Sequence, residues 1–498
     1  MKKINLILII AALLGCLYGQ EMTGQFSLKK SSSDTKPAPA GNSVSDIAFA
    51  PNEIWIVTNT GLSKSTDNGE SWISFADNDL KENESVFYFD YNDGVLWVTM
   101  GHIEEVQGSN EFIGGGLIYS ADGGETWTSI DQPLDAETDT TFIYGNNTLK
   151  AVPTYVKGNN VSFDVEYADG VLWIASWAGG LRKSSDMGQT WERVLLPPDY
   201  LDEINPGGTY SFEYNVKDID NQKAFTVESI GQDSIVVGTA NGINFSFDGG
   251  ISWKKVNHQN QENGIIGNFV RYISYNPVDK SIWASCKFAS GTGEKFGVSV
   301  SYDFGESWTN YFEEIEAYEI GFFGTDVLVP TKSKGLYRSS DNGSSWTEFG
   351  KIVDSQTNVP LNTLQYNIAK SNGNDIWIGS SRGLAKIEID GDEKVYFSTG
   401  DSKQTYAFPN PYNPKNGLLN IKYFTTSENS EVTIRIFDFG MNLVKTVIQN
   451  APRYNSGEKI DTWDGRDEGG NYVPNGVYFF RVDTGSGDPE FGKILFLR

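Results

Sequence analysis

The stretch Ser65-Thr66-Asp67-Asn68-Gly69-Glu70-Ser71-Trp72 decides the fold, because its pattern Ser-x-Asp-x-Gly-x-(Ser/Thr)-Trp occurs six times along the chain. The Asp carboxylate can accept hydrogen bonds from the backbone N–H groups that follow it, and the glycine can adopt a positive φ. The pattern therefore predicts a tight β-hairpin turn whose Trp starts the return strand and packs against the neighbouring hairpin. The structural pairs are Asp67 and Trp72, Asp122 and Trp127, Asp186 and Trp191, Asp248 and Trp253, Asp303 and Trp308, and Asp341 and Trp346.

Each turn belongs to a unit of four short strands, as in residues 44–76. The second strand of the unit is an apolar run that recurs seven times, at 53–57, 96–98, 172–174, 235–237, 282–284, 327–329 and 376–378. Repeated four-stranded units are typical of propeller blades. The sequence predicts an all-β protein with a seven-bladed β-propeller over residues 43–400. Its seventh blade, about 367–398, lacks the turn motif and is expected to close the ring.

On these turns the chain resembles the Asp-box (BNR) β-propellers. That group includes sialidases, sortilin-like receptors, xyloglucan-degrading glycosidases and YCF48-like photosystem-assembly factors. The resemblance implies the fold. Because the motif is shared by enzymes and binding proteins, it does not imply a reaction.

Composition narrows the classes of partner. The 498 residues carry a formal net charge of −26, and the sequence pI is near 4.5. So acidic a surface repels phosphate backbones, and no nucleic-acid partner is expected. The charge also serves solubility outside the cell, and we expect a monomer.

The N-terminal residues have the composition of an export signal. Met1-Lys2-Lys3 precede an apolar run too short to span a bilayer, which predicts a signal peptide over residues 1–19. Leu13-Leu14-Gly15-Cys16 also resembles a lipobox, so a lipoprotein anchored at Cys16 is the alternative to ordinary cleavage. Residues 20–42 have a linker composition, within which residues 26–28 are a candidate extra strand that closes the ring. The protein is expected to be secreted or held at the outer cell surface.

Four insertions lengthen the blades, at residues 101–116, 131–161, 195–225 and 287–297. Each joins a second strand to a third or one blade to the next. We therefore expect all four on one rim, opposite the Asp-box turns, where loops on a rigid scaffold commonly carry function. Aromatic rings and carboxylates there suit sugars, but they suit a protein surface equally, and ordered loops without a ligand are the third alternative. The candidate binding residues are Glu104, Glu105, Tyr155, Trp177, Asp202, Glu203, Tyr210, Tyr214 and Arg271.

The enzyme classes within this group are weakly supported. A sialidase clamps its substrate's carboxylate with arginines, but the Arg-Ile-Pro motif of that family is missing, and only Arg271 lies in a candidate inner strand. A glycosidase needs two carboxylates at a suitable separation, which a sequence does not reveal, so the catalytic residues are unknown. The similar xyloglucan-degrading enzymes use two facing propellers, whereas this chain has one. No cofactor or metal is expected, although Asp/Asn-rich turns offer oxygen ligands to surface calcium.

A different segment begins after Gly400. Phe408-Pro409-Asn410-Pro411-Tyr412-Asn413-Pro414 forms a stiff connector, and alternating apolar strands follow, which predicts a small Ig-like β-sandwich over residues 401–498. With Trp463-Asp464-Gly465-Arg466-Asp467 and Gly476-Val477-Tyr478, this region resembles the FlgD-like Ig domain and the C-terminal sorting domains of the type IX (Por) secretion system. The resemblance implies an export address with the type IX machinery as a partner. A merely stabilising module is the alternative.

These observations favour an exported protein that binds an extracellular glycan or protein through its long-loop face. Two alternatives stay open: an extracellular glycoside hydrolase and a surface scaffold without a small ligand.

Overall fold

A computed structural model describes residues 24–26, 35–106, 108–289, 291–356, 360–361, 363–388, 391–397, 405–425, 427, 429–454, 457–485 and 489–498. The predicted signal peptide, Cys16 and the boundary near residue 400 lie outside these ranges. No helix in the described ranges is long and apolar enough to cross a membrane. Within the described residues, the helical segments are single turns at Asp77–Leu80, Asp220–Gln222 and Pro414–Asn416.

Seven antiparallel sheets follow one another along the chain and confirm the predicted seven-bladed propeller. Each is built on four consecutive strands in chain order, and two of them carry a fifth strand at the outer edge. Blade 1 comprises Val44–Ala50, Glu53–Thr58, Gly61–Ser65 and Ile73–Ala76; blade 2, Ser85–Asn92, Val95–Val106, Ser109–Ser120 and Trp127–Ile130; blade 3, Ser162–Ala168, Val171–Ser176, Gly180–Ser184 and Glu192–Arg193; blade 4, Ala224–Gly231, Ser234–Thr239, Gly242–Ser246 and Trp253–Val256; blade 5, Phe269–Asn276, Ser281–Lys287, Gly297–Ser301 and Thr309–Tyr311; blade 6, Gly321–Phe323, Asp326–Pro330, Leu336–Ser339 and Thr347–Glu348; blade 7, Tyr366–Ser371, Asp375–Ser380, Leu384–Glu388 and Glu393–Tyr396.

The Asp-box turn is held by its own side chains. Asp67 Oδ1 accepts hydrogen bonds from the Ser65 hydroxyl and the Ser71 N–H at 2.8 Å each, and Oδ2 accepts one from the Ser71 hydroxyl at 2.5 Å. Desolvation acts in the opposite direction, but the hydrogen bonds from Ser71 and Ser65 keep the pKa of Asp67 below its ordinary value. The other five copies repeat the hydrogen bonds to the Asp Oδ1 atom.

The glycine of each turn permits close approach between blades as well as a positive φ. At Gly124 φ is +85°, and a Cβ atom would lie 2.7 Å from the Trp55 ring of the preceding blade. The next residue in the repeat with a large ring, Trp127, packs edge-on against the same Trp55 at a centroid distance of 6.3 Å. The turn motif therefore locks one blade onto the one before it.

Blade 7 closes the ring onto blade 1, as predicted. Trp72 packs against Trp377 at 6.1 Å between ring centroids, and a Cβ atom on Gly69 would lie 2.5 Å from the Trp377 ring. Asn68 Nδ2 donates to Asp375 Oδ2 at 2.9 Å, and Asn367 Nδ2 donates to the Val44 carbonyl oxygen at 2.8 Å. Side chains rather than a shared sheet make this closure.

A strand precedes blade 1, but it shares only Phe26 with the predicted strand at residues 26–28, of which 27 and 28 lie outside the described ranges, and the predicted role in closing the ring is wrong. Gly24–Phe26 pairs antiparallel with Trp127–Ser129, on the outside of blade 2, instead of completing the sheet of the last blade. Each of the seven blades already has four strands from contiguous chain, so the ring offers no vacant position for it. Further along, Lys36 forms an antiparallel bridge with Trp72.

The C-terminal segment is a two-sheet β-sandwich. One sheet contains Tyr406–Phe408, Leu419–Thr425 and Gly457–Trp463, and the other contains Leu443–Tyr454, Asn429–Phe437, Gly476–Asp483 and Glu490–Phe496. Tyr412, Trp463, Tyr478 and Phe496 form a ring cluster in the core between them. The sandwich contacts blade 7, because Arg382 Nη1 donates to the Leu418 carbonyl oxygen at 2.5 Å.

Candidate functional site

The four insertions leave the propeller at the predicted positions. Residues 101–116 extend the hairpin between the second and third strands of blade 2, and residues 287–297 join the same two strands of blade 5. Residues 131–161 and 195–225 connect blade 2 to blade 3 and blade 3 to blade 4. We call the side where these connections emerge the long-loop face.

The prediction that all four insertions lie on one rim is wrong for part of the inserted residues. Thr141–Tyr144, Asn147–Ala151 and Glu213–Tyr214 form a three-stranded sheet of their own, which packs with the core of blades 3 and 4. The Tyr144 hydroxyl donates to the Ile251 carbonyl oxygen at 2.8 Å, and Ile251 belongs to the Asp-box turn of blade 4. This insertion therefore reaches the opposite face, because apolar residues beside the short outer strand of blade 3 draw it along the perimeter.

Most of the predicted binding residues do not converge. Tyr214 is only 1% exposed and lies in the core beneath the three-stranded sheet of the insertions, so a ligand cannot reach its ring. Tyr210 packs on Tyr144 and Phe212 in the same sheet region. Two further predicted residues belong to the outer edge of blade 4: Asp202 accepts a hydrogen bond from Asn260 at 2.9 Å, and Glu203 pairs with Lys254 in an added strand.

Three other predicted residues are exposed but lie away from the channel mouth. Glu104 and Glu105 are exposed near the tip of the long blade 2 hairpin, and Tyr155 is exposed in the returning limb of the 131–161 insertion. Trp177 and Arg271, in contrast, belong to one contiguous surface at the mouth of the central channel. Their connection runs through phenylalanines that were not among the predicted residues.

A repeated β-bulge creates this surface. The first strand of a blade lines the channel and begins at the long-loop face, and in six blades a register shift interrupts the start of this strand. A bulge re-aims a side chain, so one residue from each of these strands stands at the channel mouth. In chain order these residues are Ser45, Phe87, Phe163, Phe225, Arg271 and Asn367.

The aromatic members form a continuous arc over blades 2 to 5. Centroid distances are 5.9 Å from Phe87 to Phe112, 6.0 Å from Phe112 to Phe163 and 5.7 Å from Phe163 to Phe225. Phe225 then contacts Phe269 at 4.5 Å and Trp177 at 6.1 Å. We call these six residues the aromatic arc. Trp177 is its most accessible member, with 42% of its surface exposed.

The returning limb of the 131–161 insertion fixes the arc in place. Asn159 N–H donates to the Phe112 carbonyl oxygen at 2.6 Å, and the Asn159 carbonyl accepts from the Ala178 N–H at 3.0 Å. Thr154 Oγ1 donates to the Ala178 carbonyl at 2.7 Å. The turn that carries Trp177 is therefore anchored by backbone and side-chain bonds, so its ring is presented without a large ordering cost on binding.

The other side of the mouth is polar. Arg271 Nη2 donates to the Tyr272 hydroxyl at 3.2 Å, and the Tyr272 ring contacts Tyr318 at 6.3 Å. Gln365 Nε2 lies 3.4 Å from the Tyr318 hydroxyl and 3.3 Å from Asn367 Oδ1. The mouth thus combines ring faces on one side with guanidinium, phenol and amide groups on the other.

Carboxylates and hydroxyls line the channel below the mouth, where they join neighbouring blades. Asp164 Oδ2 accepts the Val227 N–H at 2.9 Å, Thr226 Oγ1 accepts the Ile273 N–H at 3.3 Å, and Ser274 Oγ accepts the Ile320 N–H at 3.2 Å. Each acceptor belongs to one blade and each donor to the next. These side chains therefore satisfy N–H groups at the free edges of the inner strands.

A polar plug crosses the axis. The Tyr88 hydroxyl of blade 2 donates to Glu319 Oε2, beside blade 6, at 3.1 Å. Lys370 Nζ of blade 7 contacts Asp46 Oδ1 at 3.2 Å and Glu319 Oε1 at 2.9 Å. Burial raises the pKa of Asp46 to about 7, although Lys370 opposes the shift. Burial also raises the pKa of Asp90 to about 6 and those of Asp164, Glu166 and Glu228 well above their ordinary values.

The two histidines of the chain make local contacts. His102 Nδ1 pairs with Glu84 at 3.0 Å, and His258 Nδ1 lies 2.7 Å from the Ile265 carbonyl oxygen. No group of three or more His, Cys, Asp or Glu side chains in the described part of the chain could hold a metal ion. Two cavities of about 670 Å³ each lie away from the mouth, one between blade 7 and the C-terminal sandwich and one beside the Asp-box turn of blade 1.

The chain shows distant similarity to known enzymes. It is 27% identical over 265 residues to the xyloglucanase Xgh74A of Acetivibrio thermocellus, covering 47% of this chain and 28% of that protein. It is 26% identical over 285 residues to a probable oligoxyloglucan-reducing end-specific xyloglucanase of Neosartorya fischeri, covering 53% of this chain and 31% of that protein. The chain thus spans less than a third of the length of these curated relatives.

Structural comparison and a family match assign the two folds. The GH74 xyloglucanase of Xanthomonas campestris superposes with a TM-score of 0.50 at 14% identity, covering 80% of this chain and 59% of the enzyme. Residues 415–488 match the FlgD Ig-like domain family. The chain is therefore a β-propeller of the kind seen in GH74 xyloglucanases, followed by a FlgD Ig-like domain.

Proposed function

We propose that this protein is an exported binding protein that holds an extracellular glycan at the channel mouth of the long-loop face. The observation that carries the proposal is the aromatic arc, which ends in the exposed and anchored Trp177. Aromatic rings stack on the apolar faces of pyranose units, and the Arg271, Tyr318 and Gln365 side supplies hydrogen-bonding groups for hydroxyls. The Tyr88–Glu319 bond closes the axis behind the mouth, which favours a polymer lying across the surface.

A glycan array on the purified protein tests this proposal. We expect binding to at least one oligosaccharide class. Trp177→Ala should weaken this binding about 10-fold or more, since the stacking of one ligand ring on an aromatic side chain contributes ~1–3 kcal/mol in proteins that bind single-stranded nucleic acids. Tyr200→Ala is the matched control, because Tyr200 is 72% exposed and lies outside the arc. Equal effects of both substitutions would contradict a site at the arc. A protein that binds the same surface more tightly than any glycan would contradict the glycan as the ligand.

We also propose that residues 401–498, which contain the FlgD Ig-like match, are the sorting signal for type IX secretion. The support is the ordered set of motifs from Pro409 to Tyr478 and the final strand. Residues 1–19 would first direct the chain through the inner membrane, after which a free or lipid-bearing N-terminus would remain. The domain boundaries at 43 and 400 belong to this proposal.

Hydrolysis is the second candidate, because the similar curated proteins are xyloglucanases and because Asp46 and Asp90 have pKa values raised to about 7 and about 6. We rank hydrolysis below binding, since Asp46 is buried and forms an ion pair with Lys370. A polysaccharide panel scored for new reducing ends separates the two. Released ends that disappear in Asp46→Asn or Asp90→Asn would defeat a binding-only role, and silence on both array and panel would favour a scaffold.

A further inference from the structure

One part of the channel mouth is cationic, although the chain as a whole is strongly acidic. We call the group Arg271, Lys287, Glu316 and Lys332 the basic crescent. It contains three cations and one carboxylate, whereas the whole chain has 39 Lys and Arg against 65 Asp and Glu. All four residues belong to the long-loop ends of blades 5 and 6.

The single carboxylate of the crescent is fully engaged. Glu316 forms ion pairs with Lys287 through one oxygen and with Lys332 through the other, the latter at 2.8 Å. Desolvation acts in the opposite direction, but the hydrogen bonds from these two lysines keep the pKa of Glu316 below its ordinary value. Glu316 therefore carries one negative charge against two lysines, and both of its oxygens face those lysines.

Arg271 itself has no carboxylate partner among the described residues. Its guanidinium donates to the Tyr272 hydroxyl and lies 5.2 Å from the centroid of that ring, which leaves most of its five donors to solvent or a ligand. Lys332 is close enough to repel it electrostatically. The repulsion between an unpaired guanidinium and a second cation raises the free energy of the site unless an anion binds between them. The planar guanidinium can donate two parallel hydrogen bonds to a carboxylate.

The arc and the crescent meet at this residue. Phe269 belongs to the same strand as Arg271, two residues earlier, and its ring contacts that of Phe225 at a centroid distance of 4.5 Å. Phe225 in turn contacts Trp177. A ring lying on this end of the arc would bring a substituent on its edge toward the guanidinium. The ligand chemistry that uses both features is a sugar ring that carries a carboxylate.

We propose that the mouth selects acidic glycans, with the carboxylate of a hexuronate unit bound by Arg271 and its pyranose ring on Trp177 and Phe269, whose rings both contact the buried Phe225. This inference rests on the proposed glycan-binding function and specifies its ligand. The carboxyl groups deeper in the channel oppose it less than their number suggests, since burial raises the pKa values of Asp164, Glu166 and Glu228 well above their ordinary values and so disfavours their charged forms.

Isothermal titration of the purified protein with three acidic probes tests the inference: oligogalacturonides, alginate oligosaccharides and glucuronoxylan oligosaccharides. Methyl-esterified oligogalacturonide is the matched ligand, because it keeps the ring and removes the charge. We expect the best acidic probe to bind at least 10-fold more tightly than the neutral xyloglucan and galactan oligosaccharides, with an affinity that falls as salt is added.

The variants assign the effect to Arg271. Arg271→Gln should weaken binding of the acidic probe about 10- to 100-fold and leave the esterified probe unchanged, whereas Arg271→Lys should have an intermediate effect. Lys217→Gln is the matched control, since Lys217 is exposed and lies outside the crescent. Unchanged circular dichroism shows that each variant is folded.

The outcomes are separable. Equal affinity for acidic and neutral sugars, with Trp177→Ala still harmful, would overturn the acidic preference and leave the glycan-binding function intact. Tighter binding of a peptide with a free C-terminal carboxylate than of any acidic glycan would also overturn it. Failure of every acidic and neutral glycan to bind would remove the proposed function together with this inference.

Discussion

Replacing Lys370 by Met should destabilise the propeller in a pH-dependent way. The Lys370 side chain is 28% exposed and holds Asp46 and Glu319 together, so blades 7, 1 and 6 meet at its ammonium group. Burial acts in the opposite direction, but the two carboxylates hold the pKa of Lys370 above its ordinary value. Methionine fills the same space and leaves two carboxylates without their cation.

The size of the effect follows from the charges left behind. Removing one partner of a buried ion pair typically costs ~3–5 kcal/mol, because the remaining charge stays desolvated. The pKa of Asp46, already about 7, must rise further once the ammonium is gone. At pH 5 the Asp46 carboxyl can then be protonated at little cost, whereas at pH 8 folding must take up a proton, so the loss is larger at about pH 8 than at about pH 5.

Urea unfolding followed by tryptophan fluorescence measures this loss, since all but Trp463 of the 13 tryptophans belong to the propeller. Lys394→Met is the control, because Lys394 forms an exposed pair with Glu70 and should contribute less than ~1 kcal/mol. A destabilisation by Lys370→Met that is equal at both pH values would refute the electrostatic reasoning. A loss no larger than that of the control would show that the plug does not hold the ring.

Three further predictions concern the frame and its address. Gly124→Ala should lower the unfolding free energy by about 1–3 kcal/mol more than Gly94→Ala, measured by the same urea titration. Both glycines have positive φ, but only at Gly124 would a Cβ atom meet a neighbouring ring, that of Trp55, at 2.7 Å. Equal losses would contradict the close-approach role. The wild-type melting temperature should be highest near about pH 4. The raised pKa values of Asp46 and Asp90 remove stability as pH rises from the ordinary 3.8 of these groups to about 7 and about 6, and the lowered pKa values of the Asp-box carboxyls remove it as pH falls below 3.8; a continuous rise in stability to pH 8 would contradict the channel assignments. Deleting residues 406–498 should leave a folded propeller in the periplasm, as judged by fractionation and fluorescence, and normal appearance of that truncated protein in the medium would refute the sorting role.

The blades could be predicted because their causes are local. The Ser-x-Asp-x-Gly-x-(Ser/Thr)-Trp turn makes its hydrogen bonds within eight residues, and its Gly and Trp then meet the preceding blade in the same way each time. The sandwich was predictable for a similar reason, since its alternating strands and Trp463 carry their packing pattern in sequence. The extra N-terminal strand was misplaced because the edge to which it pairs is a long-range choice among several blades.

The site was less accessible from sequence. Trp177 was found because it breaks the repeat pattern, and Arg271 because it is the lone arginine of the inner strands. Phe87, Phe163 and Phe225 were missed because, as apolar residues in strands, they looked like core, and only the bulge turns them toward the mouth. Aligning the inner strands would have placed these three in one column. Tyr214 was misassigned because a loop residue can be buried by a sheet that forms within the insertions themselves.

The most direct test of a binding site at the channel mouth is a hydrogen-exchange footprint with the tightest-binding oligosaccharide from the array. We expect slowed exchange at the turn containing Trp177, the segment 157–163 and the starts of the blade 4 and blade 5 inner strands, with no change at the Asp-box turns. Protection confined to the Asp-box face, or to the cleft between blade 7 and the C-terminal sandwich, would contradict it.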